Sequence, residues 1–188
     1  GTYSHGWTDS NRFINSRLSA PANLTGSTKD NEAGLRLRLA YYATTDSVYV
    51  KPYVDFDARY YRSDAWTESG NSPFAMSYPS MSFWTYTATP MLEVGTRINT
   101  KEGVWRAFAS GGVALSNDNK KTMLADFVAT NGGAPIEMQW EATPTMGIVK
   151  VGAEYVGQDN SFFTLSYEGM FGDGVRQQSL MARVGLRF

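Results

Sequence analysis

The sequence predicts an all-β fold, an antiparallel transmembrane β-barrel of eight strands that meets lipid on its outer face. Three observations carry that prediction. Apolar and polar residues alternate with a period of two in eight separate segments. Taken together, one face of those segments holds no Asp, Glu, Lys or Arg. The connections between segments alternate between short and long. A period of two puts successive side chains on opposite faces of a strand, which a helix of period 3.6 cannot do.

The clearest segment is Glu32 to Tyr42. Ala33, Leu35, Leu37, Leu39 and Tyr41 alternate with Gly34, Arg36, Arg38 and Ala40. Val48 to Tyr61 sets Val48, Val50, Val54, Phe56 and Tyr60 against Lys51, Asp55, Asp57 and Arg59. Tyr86 to Ile98 places Tyr86, Leu92, Val94 and Ile98 opposite Glu93 and Arg97, and the last segment sets Leu180, Val184, Leu186 and Phe188 against Arg183 and Arg187. Four weaker segments complete the set: Thr2 to Thr8, Val104 to Leu115, Thr145 to Tyr155 and Ser161 to Phe171. Phe108 and Phe162 fall on the polar face of their segments, against the pattern.

The expected long connections are Asp9 to Asn31, Arg62 to Thr85 and Ser116 to Glu141, with a medium one at Gly172 to Gln177. The short ones are Thr44 to Ser47, Asn99 to Gly103 and Gly157 to Asn160. Short turns at one end and long loops at the other are the layout of outer-membrane barrels.

Charge separates the two faces. The polar face carries Arg36, Arg38, Lys51, Arg59, Arg97, Arg106, Lys150, Arg183 and Arg187, nine cations, against the five anions Asp55, Asp57, Glu93, Glu154 and Glu168. These fourteen residues are expected to line a lumen. A soluble sheet would bury the uncharged face; a membrane barrel turns it to lipid, where a Lys or Arg costs about 2–4 kcal/mol at the midplane. Several segments run to about 10–14 residues, near the ~9–11 that cross a bilayer and longer than the ~5–6 of an ordinary strand.

Composition excludes other classes. The 188 residues include no Cys and a single His, so disulfides, thiolate sites and histidine clusters are ruled out. With 17 Lys+Arg against 18 Asp+Glu there is no basic surface for nucleic acid. No run of 18 apolar residues could form a transmembrane helix. Residues 1–188 read as one barrel domain.

The ending Ala182-Arg183-Val184-Gly185-Leu186-Arg187-Phe188 is alternating, amphipathic and closed by an aromatic. It resembles the C-terminal strand signal, here Val184, Leu186 and Phe188, that outer-membrane proteins present to the barrel assembly machinery. Further stretches resemble the β-domain of classical autotransporters, the translocators of type V secretion. They are Tyr3-Ser4-His5-Gly6-Trp7, Gly34 to Tyr42, Val50-Lys51-Pro52-Tyr53, and Phe162 to Gly172 followed by Asp173-Gly174. That family's barrel has twelve strands and a helix threading its pore. The resemblance therefore implies that these eight strands are the last eight of twelve, in an N-terminally incomplete domain. A complete eight-stranded barrel is the other arrangement with this pattern.

The resemblance implies a translocator in the outer membrane of a Gram-negative bacterium, long loops extracellular and C-terminus periplasmic. Its partners would be outer-membrane lipid, the barrel assembly machinery and its own passenger domain. No enzymatic activity, cofactor or metal is expected. The alternative function is a standalone eight-stranded barrel acting through its loops as an adhesin or lipid-modifying enzyme; a soluble β-domain is a third.

The chemical candidates are few. His5 alternates with Tyr3 and Trp7 and reads as an interfacial aromatic-like residue rather than a catalytic base. Asp55 and Asp57 share a face, with Arg36, Arg38, Lys51 and Arg59 available for ion pairing. Asn117 to Lys121 lacks the glycine and closing glutamate of a calcium loop and reads as solvated.

Overall fold

The computed structural model of the chain describes residues 1–16, 19–117, 120–130 and 135–186. Among them run β1 (Thr2–Ser16), β2 (Ser19–Ala40), β3 (Ala43–Thr44), β4 (Val48–Ser63), β5 (Trp66–Thr67), β6 (Met76–Tyr78) and β7 (Met81–Asn99). There follow β8 (Gly103–Ser116), β9 (Lys120–Phe127), a 3-10 turn at Val128–Thr130, β10 (Ile136–Glu141), β11 (Thr145–Gly157), β12 (Phe162–Gly172) and β13 (Val175–Gly185). The main sheet has the order β1-β2-β4-β7-β8-β11-β12-β13, with β3 paired to β4 off that path. Each of the eight expected segments has its described part mainly in a strand of that path; Tyr41, Tyr42, Ser161 and Leu186 fall just outside the strands, and Arg187 and Phe188 lie outside the described residues. The sheet is open among the described residues, with β1 and β13 at its ends.

The three long connections are not loops. Asp9 to Asn31 continues β1 and β2 as a hairpin, with Thr8 opposite Thr28 and Asn11 opposite Thr25. Backbone pairing needs no apolar alternation, so a Ser-, Asn- and Thr-rich stretch forms a ladder without showing a period in its sequence. Arg62 to Thr85 and Ser116 to Glu141 supply a second, four-stranded sheet of order β10-β9-β6-β5. The medium connection shrinks to Asp173-Gly174, where Gly174 takes φ +70, because β13 begins at Val175. Asp118 and Asn119, of the calcium-like stretch, lie outside the described residues.

The chain divides into two compact units. The first comprises Gly1–Leu35, Ala58–Tyr86 and Asp118–Ala142. Its second sheet has a core of Met76, Tyr78 and Ala125, against which Trp66, Met123, Phe127 and Met138 pack. Leu24 is fully buried, and two backbone hydrogen bonds between Thr25 and Ser69 tie the hairpin to the chain just after β5. Arg12 on the hairpin holds the buried carboxylate of Glu68, which also accepts from the Met76 N–H at 2.9 Å.

The second unit comprises Arg36–Asp57, Thr87–Asn117 and Thr143–Phe188. Here β8, β11, β12 and β13 form an unbroken antiparallel ladder, from Thr145 opposite Leu115 to Gly157 opposite Gly103 on one side of β11. The strands have 14, 13, 11 and 11 residues, enough to cross a bilayer. The three short turns lie in this unit.

Burial in the second unit is inverted relative to a soluble protein. Leu37 is 57% exposed, Leu92 50% and Val151 43%, while Glu93 is 5% exposed and Tyr49 2%. Asp55 and Ser110 are buried with them. The same face also holds a small apolar cluster, Tyr53, Met91, Ala114 and Ile148, which the alternation alone does not mark as a core.

Candidate functional site: the charged face of the main sheet

Because side chains alternate strictly, one register relation sets every cross-strand neighbour on a face. In the second unit it aligns acids with bases strand after strand. Arg36 Nε donates to Asp57 Oδ1 at 2.6 Å, and Arg38 forks onto Asp55, with Nη2 to Oδ2 at 2.7 Å. Lys51 Nζ lies 3.1 Å from Glu93 Oε2. Arg106 bridges Glu93 and Glu154, reaching Glu154 Oε2 at 2.7 Å. Lys150 pairs with Glu168 at 2.7 Å. The pairs join β2 to β4, β4 to β7, β7 to β8, β8 to β11 and β11 to β12. In the first unit, Arg59 lies 3.8 Å from Glu32, and Asp30 accepts from Thr8 and from Tyr61 at 2.7 Å.

The sequence-predicted lumen residues therefore fall into two groups. Arg36, Arg38, Lys51, Asp55, Asp57, Arg59, Glu93, Arg106, Lys150, Glu154 and Glu168 are engaged in ion pairs. Arg97 and Arg183 make none among the described residues. Arg187 and Phe188 lie outside those residues, and Val184 and Leu186 are exposed at 65% and 67%. Asp55 and Asp57 each face a guanidinium, so they are not a free carboxylate pair. His5 Nδ1 sits 2.7 Å from Asn31 Oδ1 and the ring meets Trp7 edge-on, at 5.0 Å between centroids.

Tyr49 is the residue that pattern reading passes over. Its hydroxyl donates to Glu93 Oε1 at 2.8 Å and accepts from Arg106 Nε at 2.7 Å, at the centre of the ion-pair network. Its ring occupies the space a side chain at Gly95 would take, since a Cβ there would meet it at 2.4 Å. The same device explains the two aromatics that break the alternation. Phe108 lies over Gly152, its register partner, and stacks beneath Arg106 at 4.7 Å. Phe162 lies over Gly185, also its register partner. Aromatic rings covering strand glycines restore packing where the glycine has no side chain. The legible signal is an aromatic on the charged face with a glycine on the same face of the next strand.

The exposed face carries the complementary feature. In the first unit, Tyr60 packs on Trp84 with centroids 5.1 Å apart, and Trp84 stacks on Tyr86 at 5.9 Å. In the second, Trp105 meets Tyr155 at 4.8 Å, and the Tyr155 hydroxyl donates to the Glu102 carbonyl at 3.1 Å. An apolar ring body with a polar tip suits a membrane–water boundary. An exposed apolar face backed by a paired, buried charged face is the order of a membrane barrel.

The autotransporter beta-domain family matches the chain over residues 1–168. The chain belongs to the autotransporter β-domain family. That membership, with the all-β fold, implies an outer-membrane translocator role and a Gram-negative outer-membrane location. No curated protein matches the chain. For an autotransporter β-domain, the inverted burial of the second unit has a direct physical meaning. The exposed leucines and valines form an uncharged surface on one face of the sheet, and the ion pairs lie on the other.

Proposed function

We propose that this domain inserts in the outer membrane as a closed β-barrel and supports export of an N-terminal passenger along its charged face. The inverted burial of the second unit carries this reading, and family membership supports it. Lipid covers the exposed leucine and valine face, and the lumenal charges give a hydrated wall that a polar polypeptide can follow. The domain performs no covalent chemistry. Its terminal strand is handed to the barrel assembly machinery through Val184, Leu186 and Phe188, the long connections face the medium, and the C-terminus faces the periplasm. Unpaired strand edges are intolerable in hydrocarbon, so the edges of β1 and β13 are satisfied by further pairing in the closed barrel.

Surface proteolysis of intact native cells, followed by blotting of fractions with an antibody to β13, tests the proposal. A protected, barrel-sized band in the outer-membrane fraction, derived from a larger precursor whose passenger is shaved off, is the expected result. Antigen in the soluble fraction, or a passenger untouched by protease on intact cells, would overturn it. Deleting Phe188 should lower the outer-membrane yield; unchanged yield removes the terminal targeting role.

A further inference from the structure

The second sheet of the first unit has two edges of different character. At one end β5 is two residues long, and backbone hydrogen bonds between Thr25 and Ser69 hold the chain just after it. At the other end β10 is six residues long and pairs with β9 alone among the described residues. A bare edge presents unpaired N–H and C=O groups, which proteins ordinarily blunt with Pro, Lys or a bulge. β10 contains neither Pro nor Lys, and its register with β9 is unbroken from Ile136 opposite Ala125 to Glu141 opposite Lys120. The core also stops at this edge. Ile136, Met138 and Trp140 alternate onto one face, where Met138 packs against the buried cluster, yet Ile136 and Trp140 on either side of it are 37% and 41% exposed. Glu137, Gln139 and Glu141 take the other face.

We infer that the β10 edge pairs antiparallel with β10 of a second copy of this chain, about a two-fold axis at Met138. Directly opposed residues of an antiparallel pair share a face, so a two-fold pairing has to centre on a residue. Two registers pair five residues of β10 with five. Centred on Met138, Ile136 meets Trp140 of the second copy, Met138 meets its own counterpart and Glu137 meets Gln139. Centred on Gln139, Glu137 meets Glu141 twice, and like charges so placed destabilise a sheet. The first register therefore wins, and it carries the apolar row of Ile136, Met138 and Trp140 across the joint. A surface that complements itself in this way is what an isologous contact requires. Strand addition supplies main-chain hydrogen bonds, and the side chains fix the register. This association is independent of passenger export.

The test uses the full-length protein and its protease-shaved form in an uncharged detergent, which leaves both copies free to meet with their strands opposed. Sedimentation equilibrium should show a monomer–dimer equilibrium at about 10–100 μM, the weak range of a small interface. Gln139→Glu should weaken the dimer about threefold or more and Gln139→Lys tighten it by a similar factor, since each change acts at two symmetric pairs. Both variants sit at an exposed position and leave the core intact. The chain has no Cys, so Met138→Cys places a lone thiol on the axis and should give a disulfide-linked dimer under mild oxidation. Glu141→Cys, about 20 Å from its counterpart in this register, should not. A monomer at every concentration, a dimer indifferent to residue 139, or equal cross-linking at both positions would overturn the inference and leave the translocator reading standing. A dimer seen only after shaving would assign the edge to a strand of the passenger and overturn the second-copy pairing.

Discussion

In the second unit, Tyr49, Asp55, Glu93 and Ser110 are out of solvent while Leu37, Leu92 and Val151 are exposed. In the second sheet of the first unit the order is the ordinary one: Met76, Tyr78 and Ala125 form a buried core and Lys120 stands exposed. The two regions share a chain and strand chemistry, yet they answer to different solvents. The main sheet of the second unit is arranged for a medium in which exposed leucine is favourable and unpaired charge is costly. The sheet of β10, β9, β6 and β5 is arranged for water, where burying apolar area supplies the stability.

An apolar-to-charged exchange separates the regions most strongly. Val151→Arg on the exposed face of β11 should destabilise the folded barrel by about 2–4 kcal/mol and reduce insertion into vesicles. Leu124→Arg, equally exposed on β9, should change stability by less than about 0.5 kcal/mol. Urea unfolding in lipid vesicles reads both, and equal costs would erase the distinction. Next comes Glu93→Gln, which strips Lys51 and Arg106 of their shared partner. Its expected cost is about 2–3 kcal/mol, below that of a fully buried pair because the two cations are partly exposed. A shift in unfolding midpoint worth well under 1 kcal/mol would mean that water screens the charged face.

A smaller effect, about 1–2 kcal/mol, is expected for Gly95→Ala, whose Cβ would crowd the Tyr49 ring and displace its hydroxyl from Glu93 and Arg106. In a Tyr49→Ala background the same substitution should cost less; an undiminished cost would show that Gly95 matters for its backbone alone. The smallest effect is a pH dependence confined to the first unit. Burial pushes the Glu68 carboxyl up, but hydrogen bonds from Arg12 and the Met76 N–H, with the guanidinium charge, outweigh it and hold the group below its ordinary range. A lowered folded value means the contribution is complete above the ordinary carboxylate range and is lost as pH falls through it. Hydrogen exchange at β5 and β6 should therefore quicken in acid, and Glu68→Gln should abolish that dependence. Exchange that quickens equally in the variant would place the acid sensitivity elsewhere.

The eight main strands are legible in the sequence because each alternates long enough for its two faces to differ in charge. Leu35, Leu37 and Leu39 against Arg36 and Arg38 admit no other reading. The second sheet is not legible. Trp66–Thr67 and Met76–Tyr78 are two and three residues long, too short to show a period, and they become strands only through partners distant in sequence. Met76 pairs with Phe127 and Trp66 with Tyr78, and each pairing exists only once the long connections are folded. The hairpin extension of β1 and β2 escapes notice for a related reason: its ladder is built by backbone pairing, which asks for no alternation in the sequence.

Along the charged face, strand periodicity already tells which side chains share a surface. It does not tell which acid meets which base. That Arg106 bridges Glu93 and Glu154 while Arg97, opposite it, makes no ion pair among the described residues depends on the registers of β7, β8 and β11, and a slip of one residue in a strand would send its charged groups to the opposite face. The role of Tyr49 depends likewise on Gly95 being within reach of its ring on β7. Local alternation is a property of each strand alone, so one sequence suffices to read it; partner choice belongs to pairs of strands, and only the assembled sheet settles it.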